Sequence, residues 1–146
     1  MRFEMVMEEL AGSAMTIEIV PMSLDHLESF RRALDIVARE RKYLGKLQAP
    51  PIEKMQAFVT GNMDIGAPQF LALDGDNVVG WCDLTPMVGE ARAHRGGIGM
   101  GILPEERGRG LGRRLLVATL EAAAPLGLTR VELDVYDDNQ IGRAHV

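Results

Sequence analysis

The chain has 146 residues, a formal net charge of −5, and apolar and charged fractions of 47% and 25%. This length and composition predict one globular domain with its own core. The negative charge disfavours nucleic acid as a partner, and no apolar run is long enough for a membrane span, so neither partner is expected. Cys82 is the single cysteine, which excludes an internal disulfide and favours a reducing, cytoplasmic location.

The first half of the chain predicts a strand followed by two helices. A strand ends at Pro21, and Ser23 is a good N-cap for a helix that we expect to run to Gly45. Pro51 opens a second helix. The apolar residues recur at helical spacing and are expected to be core: Leu24, Leu27, Phe30, Leu34 and Val37 on the first helix, and Ile52, Met55, Phe58 and Val59 on the second.

Between these helices, Tyr43 and Lys46 are candidates for gripping a substrate, and an exposed linker is the alternative interpretation. Residues 70–73 and 78–82 then predict a hairpin around the turn at 74–77. Trp81 is expected in the core or in a pocket wall. Asp83 faces a pocket or caps the strand end, and His94 is either a base or a solvated loop residue.

Residues 96–116, with the sequence GGIGMGILPEERGRGLGRRLL, organise the rest of the chain. From 97 to 102 the side chains alternate strictly, so Ile98, Met100 and Ile102 share one face of a predicted strand and three glycines share the other. A glycine face usually marks close approach by a ligand or by another backbone. Pro104 then ends the strand.

A glycine-rich turn and a helix follow this strand. Gly108, Gly110 and Gly112 come where the helix begins, and a helix N-terminus presents unpaired N–H groups to an anion. We therefore predict a pyrophosphate site, with a glycine-rich turn bearing solvated arginines as the alternative. A P-loop would need Gly-Lys-Ser/Thr, and the dinucleotide fingerprint would need a third glycine at Arg113. The apolar stripe predicted for the helix is Leu111, Leu115, Ala118 and Ala122, widened by Leu116 and Leu120.

The pattern from Arg107 to Gly112, with Pro104 three residues before the arginine, resembles the coenzyme A pyrophosphate loop of the GNAT superfamily of N-acyltransferases. The resemblance implies an α/β fold with a mixed central sheet flanked by helices. It also implies acetyl transfer from acetyl-CoA to a primary amine in a ternary complex, with no metal. The acceptor would be a small molecule or a protein N-terminus, and a homodimer is left open. The rival interpretations are a CoA-binding module without catalysis and an inactive fragment.

The same resemblance assigns site residues. The backbone of Met100, Gly101 and Ile102 would contact the pantetheine arm, and Asp134 would be the general base, with Glu132 and His94 next in line. The remaining cofactor contacts implied are Arg107, Gly108, Arg109, Gly110, Leu111, Gly112, Arg113 and Asn139.

The resemblance covers residues 15–140, after an extension at 1–14 to which we assign no role. Residues 141–146 match the translation of a common sequencing adapter, so we expect them to be a non-native tail. We accordingly expect the domain to lack the family's final helix and strand pair.

Overall fold

A mixed five-stranded sheet forms the centre of the computed structural model, which describes residues 17–40, 48–86, 95–128 and 130–133. The strands lie in chain order, each antiparallel to its neighbour except the last pair, which is parallel. This confirms the predicted α/β class with a mixed sheet. The strands are β1 (Ile17–Pro21), β2 (Gln69–Asp74), β3 (Asn77–Pro86), β4 (Arg95–Ile102) and β5 (Arg130–Leu133), and the helices are α1 (Leu27–Arg39), α2 (Ile52–Asp64) and α3 (Leu111–Ala123).

The sheet buries an apolar layer on each face. Helices α1 and α2 cover one face, where Phe30, Val59 and Trp81 belong to the same core cluster. Helix α3 covers the other face, where Leu115 packs with Cys82 from β3. Such a three-layer arrangement is how a sheet with two apolar faces is removed from water. Within the described ranges, no helix is both long and apolar enough to cross a membrane.

The start and end of α1 differ from the sequence-based expectation. Ser23 caps a short 3-10 turn instead, its hydroxyl accepting from the Asp25 N–H at 3.2 Å, and the α-helix begins only at Leu27. As a result Leu24 lies on the turn and is 43% exposed, not core. The helix ends at Arg39, and Gly45 lies outside the described residues.

The buried stripe of α3 is also rotated from the predicted one. Thr119 and Ala123 are buried, whereas Leu120 and Ala122 are exposed. The sequence pattern missed Thr119 because a hydroxyl is usually costly to bury. Here that cost is avoided, since the Thr119 hydroxyl donates to the Leu115 carbonyl one turn earlier at 2.8 Å.

Helix α2 continues through Gly61, and this position gives a first prediction. A Cβ added at Gly61 would meet no heavy atom within 4 Å, and its φ is not in the left-handed region. Gly61→Ala should therefore raise the free energy of unfolding by about 0.5–1 kcal/mol, since alanine loses less backbone entropy in a helix. Urea denaturation followed by circular dichroism measures this, and a destabilised variant would contradict the helix continuing as described.

Candidate functional site

The turn between β4 and α3 is shaped by two glycines in the left-handed region. Residues Pro104–Glu106 form a 3-10 turn, after which Gly108 has φ +79° and Gly110, the N-cap of α3, has φ +80°. L-residues rarely adopt this conformation. A Cβ added at either glycine would meet no heavy atom within 4 Å. The outer surface of the turn is thus open to a ligand.

Backbone N–H groups line this open surface. The Arg114 N–H donates to the Gly110 carbonyl at 3.1 Å and closes the first turn of α3. The N–H groups of Leu111 and Gly112 donate to no backbone carbonyl within the described ranges. The Leu111 side chain is buried against the sheet, so only its backbone can meet a ligand. Unpaired N–H groups at the positive end of a helix dipole suit an anion such as a phosphate.

The arginines of the turn divide into two kinds. The Arg107 guanidinium donates to both oxygens of Glu40, at 2.8 and 2.6 Å, and to the Ile102 carbonyl at 3.0 Å. This arginine was expected to hold pyrophosphate, but its side chain ties the turn to the end of α1. Arg109 and Arg113 are exposed, and Arg109 forms a long 3.4 Å ion pair with Glu106. These two side chains are placed to attract an anion to the turn.

Beyond its pairing with β5, the backbone of β4 presents N–H and C=O groups along the edge that faces away from β3. Among the described residues, pairing with β5 ends at Ile98 opposite Leu133, while pairing with β3 continues to Ile102 opposite Gly80. The Leu103 N–H donates to the Val79 carbonyl on β3.

The N–H and C=O groups of successive residues in a strand point to opposite edges. Because the Leu103 N–H faces β3, the N–H and C=O of Gly101 also face β3, and those of Met100 face away from it. Met100 therefore fits the predicted pantetheine contact and Gly101 does not. The Ile102 carbonyl already accepts from Arg107.

The glycine face of β4 leaves space for two side chains of β3. A Cβ added at Gly101 would lie against three ring carbons of Trp81, the farthest of them at 2.9 Å. A Cβ at Gly99 would lie 3.1 and 3.3 Å from the Asp83 carboxylate oxygens. The close approach expected at this glycine face is therefore made at Gly101 by the indole of Trp81, and not by a ligand or another backbone.

A cavity of about 670 Å³ lies on the α1 and α2 side of the sheet. Its floor includes Trp81, Asp83 and Gly99. Phe58 was expected in the core but is 45% exposed and belongs to the cavity wall, because it lies off the buried stripe of α2. The other described lining residues are Phe30, Leu34, Gln48, Ala49, Pro50, Pro51, Lys54, Met55 and Met100.

Asp35 holds one wall of this cavity in place. Its carboxylate accepts from the Ala49 N–H at 2.9 Å and from the Arg39 Nε at 2.7 Å. The hydrogen bond from Ala49, followed by the one from Arg39, lowers the pKa of Asp35 below its ordinary value of 3.8. Because these partners favour the charged form, Asp35 stabilises the fold above pH 3.8, and this stabilisation is lost as the pH falls through the lowered folded-state value.

We expect acid melting curves to show this effect of Asp35. Between neutral pH and pH 3.8, wild type should be more stable than Asp35→Asn by a constant margin. Below pH 3.8 that margin should shrink as the wild-type carboxylate becomes protonated. A margin that stays constant down to the lowest pH measured would contradict the role of the charged form.

Cys82 is not placed to act as a nucleophile. It is buried in the cluster on the α3 side of the sheet, opposite the cavity. Burial raises the pKa of the Cys82 thiol to about 12, and the thiolate is the reactive species. A covalent acyl-cysteine route therefore has no support here.

Several sequence-based candidates cannot be placed. Glu132 lies on β5 opposite Gly97. In the described ranges, no group of three or more His, Cys, Asp and Glu side chains is arranged to hold a metal ion. The candidates outside the described residues are Tyr43, Lys46, His94, Asp134 and Asn139.

Comparison with known proteins decides the family. The sequence profile described as the acetyltransferase (GNAT) family matches residues 34–144, about three quarters of the chain. The chain belongs to the GNAT acetyltransferase family. Membership confirms the resemblance drawn from the turn and the predicted enzyme class, an acetyltransferase with acetyl-CoA as its donor. No protein of curated function matches this GNAT chain in sequence.

Solved structures share the fold of this GNAT acetyltransferase. YncA, a putative acetyltransferase from Salmonella typhimurium solved with acetyl-CoA, superposes with a TM-score of 0.80 at 14% identity, over 88% of this chain and 75% of that one. A ribosomal-protein-alanine N-acetyltransferase from Brucella melitensis gives 0.79 at 18% identity, over 87% and 79%. A phosphinothricin acetyltransferase from Sinorhizobium meliloti, solved with acetyl-CoA, gives 0.78 at 18% identity, over 88% and 73%. At these identities the likeness concerns the fold.

Proposed function

We propose that this GNAT domain transfers an acetyl group from acetyl-CoA to a primary amine bound in the cavity on the α1 and α2 side. The observation that carries the proposal is the position of β4. Gly99 and Met100 line the cavity, and the same strand leads directly into the open turn at the N-terminus of α3. A donor lying along β4 would thus bring its reactive end to the cavity and its phosphates to the turn.

The donor would be held mainly by backbone groups. We assign the pyrophosphate to the N–H groups at the start of α3, with Gly108 and Gly110 providing the open left-handed turn. Arg109 and Arg113 would add exposed positive charge. We assign the pantetheine arm to the outward-facing backbone of Met100. These groups fit the charge of the donor because the open turn supplies N–H donors and carries two exposed arginines.

The acceptor must lose a proton before its nitrogen can attack a thioester. Asp134 remains the residue predicted to act as the general base. A small-molecule amine and a protein N-terminus both remain acceptor classes under this proposal, and a cytoplasmic location and a homodimer remain predictions.

Acetyl-CoA consumption in the presence of amines tests the proposal. We expect a thiol-reactive dye to report CoA release that depends on both the enzyme and the amine, and mass spectrometry to find the acetylated amine. Buried Cys82 should not react with the dye in the folded protein. Tight acetyl-CoA binding without transfer to any amine of a broad panel would instead favour the rival, a CoA-binding module.

A further inference from the structure

Helix α1 ends on an acid, which a helix disfavours at that position. Glu40 is the C-cap of α1. The last carbonyl groups of a helix carry a partial negative charge, so a carboxylate beside them destabilises the helix, whereas a cation would stabilise it. The stability of α1 itself therefore does not explain an acid at this position.

The partner of Glu40 is Arg107, the first residue of the glycine turn (residues 107–110). The Arg107 guanidinium donates to both Glu40 oxygens, from Nη1 at 2.8 Å and from Nη2 at 2.6 Å. The two side chains are only 25% and 24% exposed, so solvent screens the pair less than it screens a surface pair. A bidentate pair is also directional, because both hydrogen bonds must align at once. Glu40 therefore fixes the orientation of the guanidinium and neutralises its charge.

In this orientation Arg107 holds together the two ends of the 3-10 turn. Its Nε donates to the Ile102 carbonyl at 3.0 Å, and its backbone N–H donates to the Pro104 carbonyl at 3.3 Å. Gly108 follows directly, with φ +79°. Arg107 thus determines where the chain enters the glycine turn, and Glu40 holds Arg107 in place.

Helix α1 is a rigid support for this contact. Phe30 and Val37 are 3% and 0% exposed and belong to the core cluster beneath the helix. Near the other end of α1, the Ser29 hydroxyl accepts from the Val78 N–H on β3 at 2.8 Å. Glu40 therefore ties the glycine turn to an element that is itself fixed on the sheet. A turn whose backbone is already ordered binds a ligand with a smaller entropic cost.

We infer that Glu40 is a positioning residue for acetyl-CoA, an inference that rests on the proposed function. Through Arg107 it holds the glycine turn in the shape that binds the pyrophosphate, without touching the cofactor itself. Charge alone predicts the opposite effect, because a carboxylate near a phosphate site repels the phosphates. Positioning and charge therefore predict effects of opposite sign when Glu40 is neutralised.

Glu40→Gln tests the sign with little change in size. We expect the Kd of acetyl-CoA, measured by isothermal calorimetry, to rise roughly tenfold, since a misplaced turn presents its N–H groups poorly. KM for acetyl-CoA should rise with it, while kcat at saturating substrates stays within about twofold of wild type, because the reacting groups lie elsewhere. Unchanged or tighter binding of acetyl-CoA would overturn the inference, and so would a fall in kcat with KM unchanged.

Two control variants separate positioning from charge and from stability. Glu121→Gln removes the same charge at an exposed site on α3. Ser29→Ala removes the hydrogen bond near the other end of α1 and should lower the melting temperature. Measured well below that temperature, both should bind acetyl-CoA within about twofold of wild type, as expected for sites remote from the turn. If Ser29→Ala weakens binding as much as Glu40→Gln does, general loosening of α1 explains the effect and the inference is wrong.

Arg107→Lys provides a second variant should Glu40→Gln fail to fold. Lysine keeps the positive charge, but a single ammonium group cannot replace the planar fork that holds Glu40 and the Ile102 carbonyl together. We expect a similar loss of affinity, roughly tenfold. Full affinity in Arg107→Lys would show that the positive charge alone is sufficient and would overturn the inference.

Failure of the proposed function gives a different result. Wild type that binds acetyl-CoA but acetylates no amine would refute amine acetylation, and the calorimetric comparison would still decide the role of Glu40. Wild type that does not bind acetyl-CoA would overturn both.

Discussion

Gly110→Glu should abolish the binding of acetyl-CoA. Gly110 is the left-handed N-cap of α3, and the space over it is open, so a glutamate there would project into the volume assigned to the pyrophosphate. The carboxylate would also repel the phosphates and compete for the helix N–H groups. We expect affinity to fall by at least roughly 100-fold, equivalent to about 3 kcal/mol. Isothermal calorimetry measures the change.

Gly127→Glu is a matched control for this variant. Gly127 follows the 3-10 turn Ala124–Leu126 beyond the C-terminal end of α3, has φ +71°, and also has open space above it. The strain of a left-handed glutamate, about 1–2 kcal/mol, is therefore common to both variants. Only Gly110→Glu should lose acetyl-CoA binding. If both lose it equally, backbone strain explains the effect, and if neither does, the pyrophosphate site lies elsewhere.

Among the glycines of β4, Gly101→Ala should destabilise the fold the most. At Gly96 and Gly99 the new methyl group would meet the ends of the Leu84 and Asp83 side chains, which can yield, whereas at Gly101 it would meet a ring. The methyl group would overlap the Trp81 ring, which is 2% exposed and packs against Phe30 with ring centroids 5.5 Å apart. The ring is rigid and almost fully buried, so we expect a loss of at least about 3 kcal/mol, at the upper end of overpacking costs. Urea denaturation measures the loss.

A double-mutant cycle with Trp81→Leu isolates this overlap. Removing the indole should itself destabilise the protein, because a large buried ring leaves a cavity. Adding Gly101→Ala to that background should then cost much less than it does in wild type, since the methyl group has space. A cost that is the same in both backgrounds would show that Gly101 is needed for its backbone and not for the indole.

The sheet, the helices and the glycine-rich turn could be predicted because each has a local signal. The alternation from 97 to 102, Pro104 and the helical spacing after Gly110 fix the order of strand, turn and helix within a short stretch of chain. Backbone N–H groups at a helix start are likewise a local property, so the prediction of an anion site rests on the same residues. Family membership agrees with this interpretation.

What the sequence could not show depends on contacts between distant residues. Glu40 and Arg107 form their bidentate pair across 67 positions, and no local pattern reveals it. The glycine pattern of β4 correctly indicated a close approach, but alternation cannot tell whether a ligand or the Trp81 ring makes it. Phe58 has the spacing of a core residue, and only the packing of α2 against the sheet leaves it in the cavity wall.

The placement of Trp81 gives the protein its own optical reporter. It is the only tryptophan in the chain, it is almost fully buried, and it borders the cavity. Its emission should therefore be blue-shifted in the folded state and should move to longer wavelength on unfolding. An aromatic amine entering the cavity would change the surroundings of the indole and hence its intensity. Acceptor binding can thus be titrated by fluorescence in the absence of donor, separating recognition of the amine from the transfer reaction.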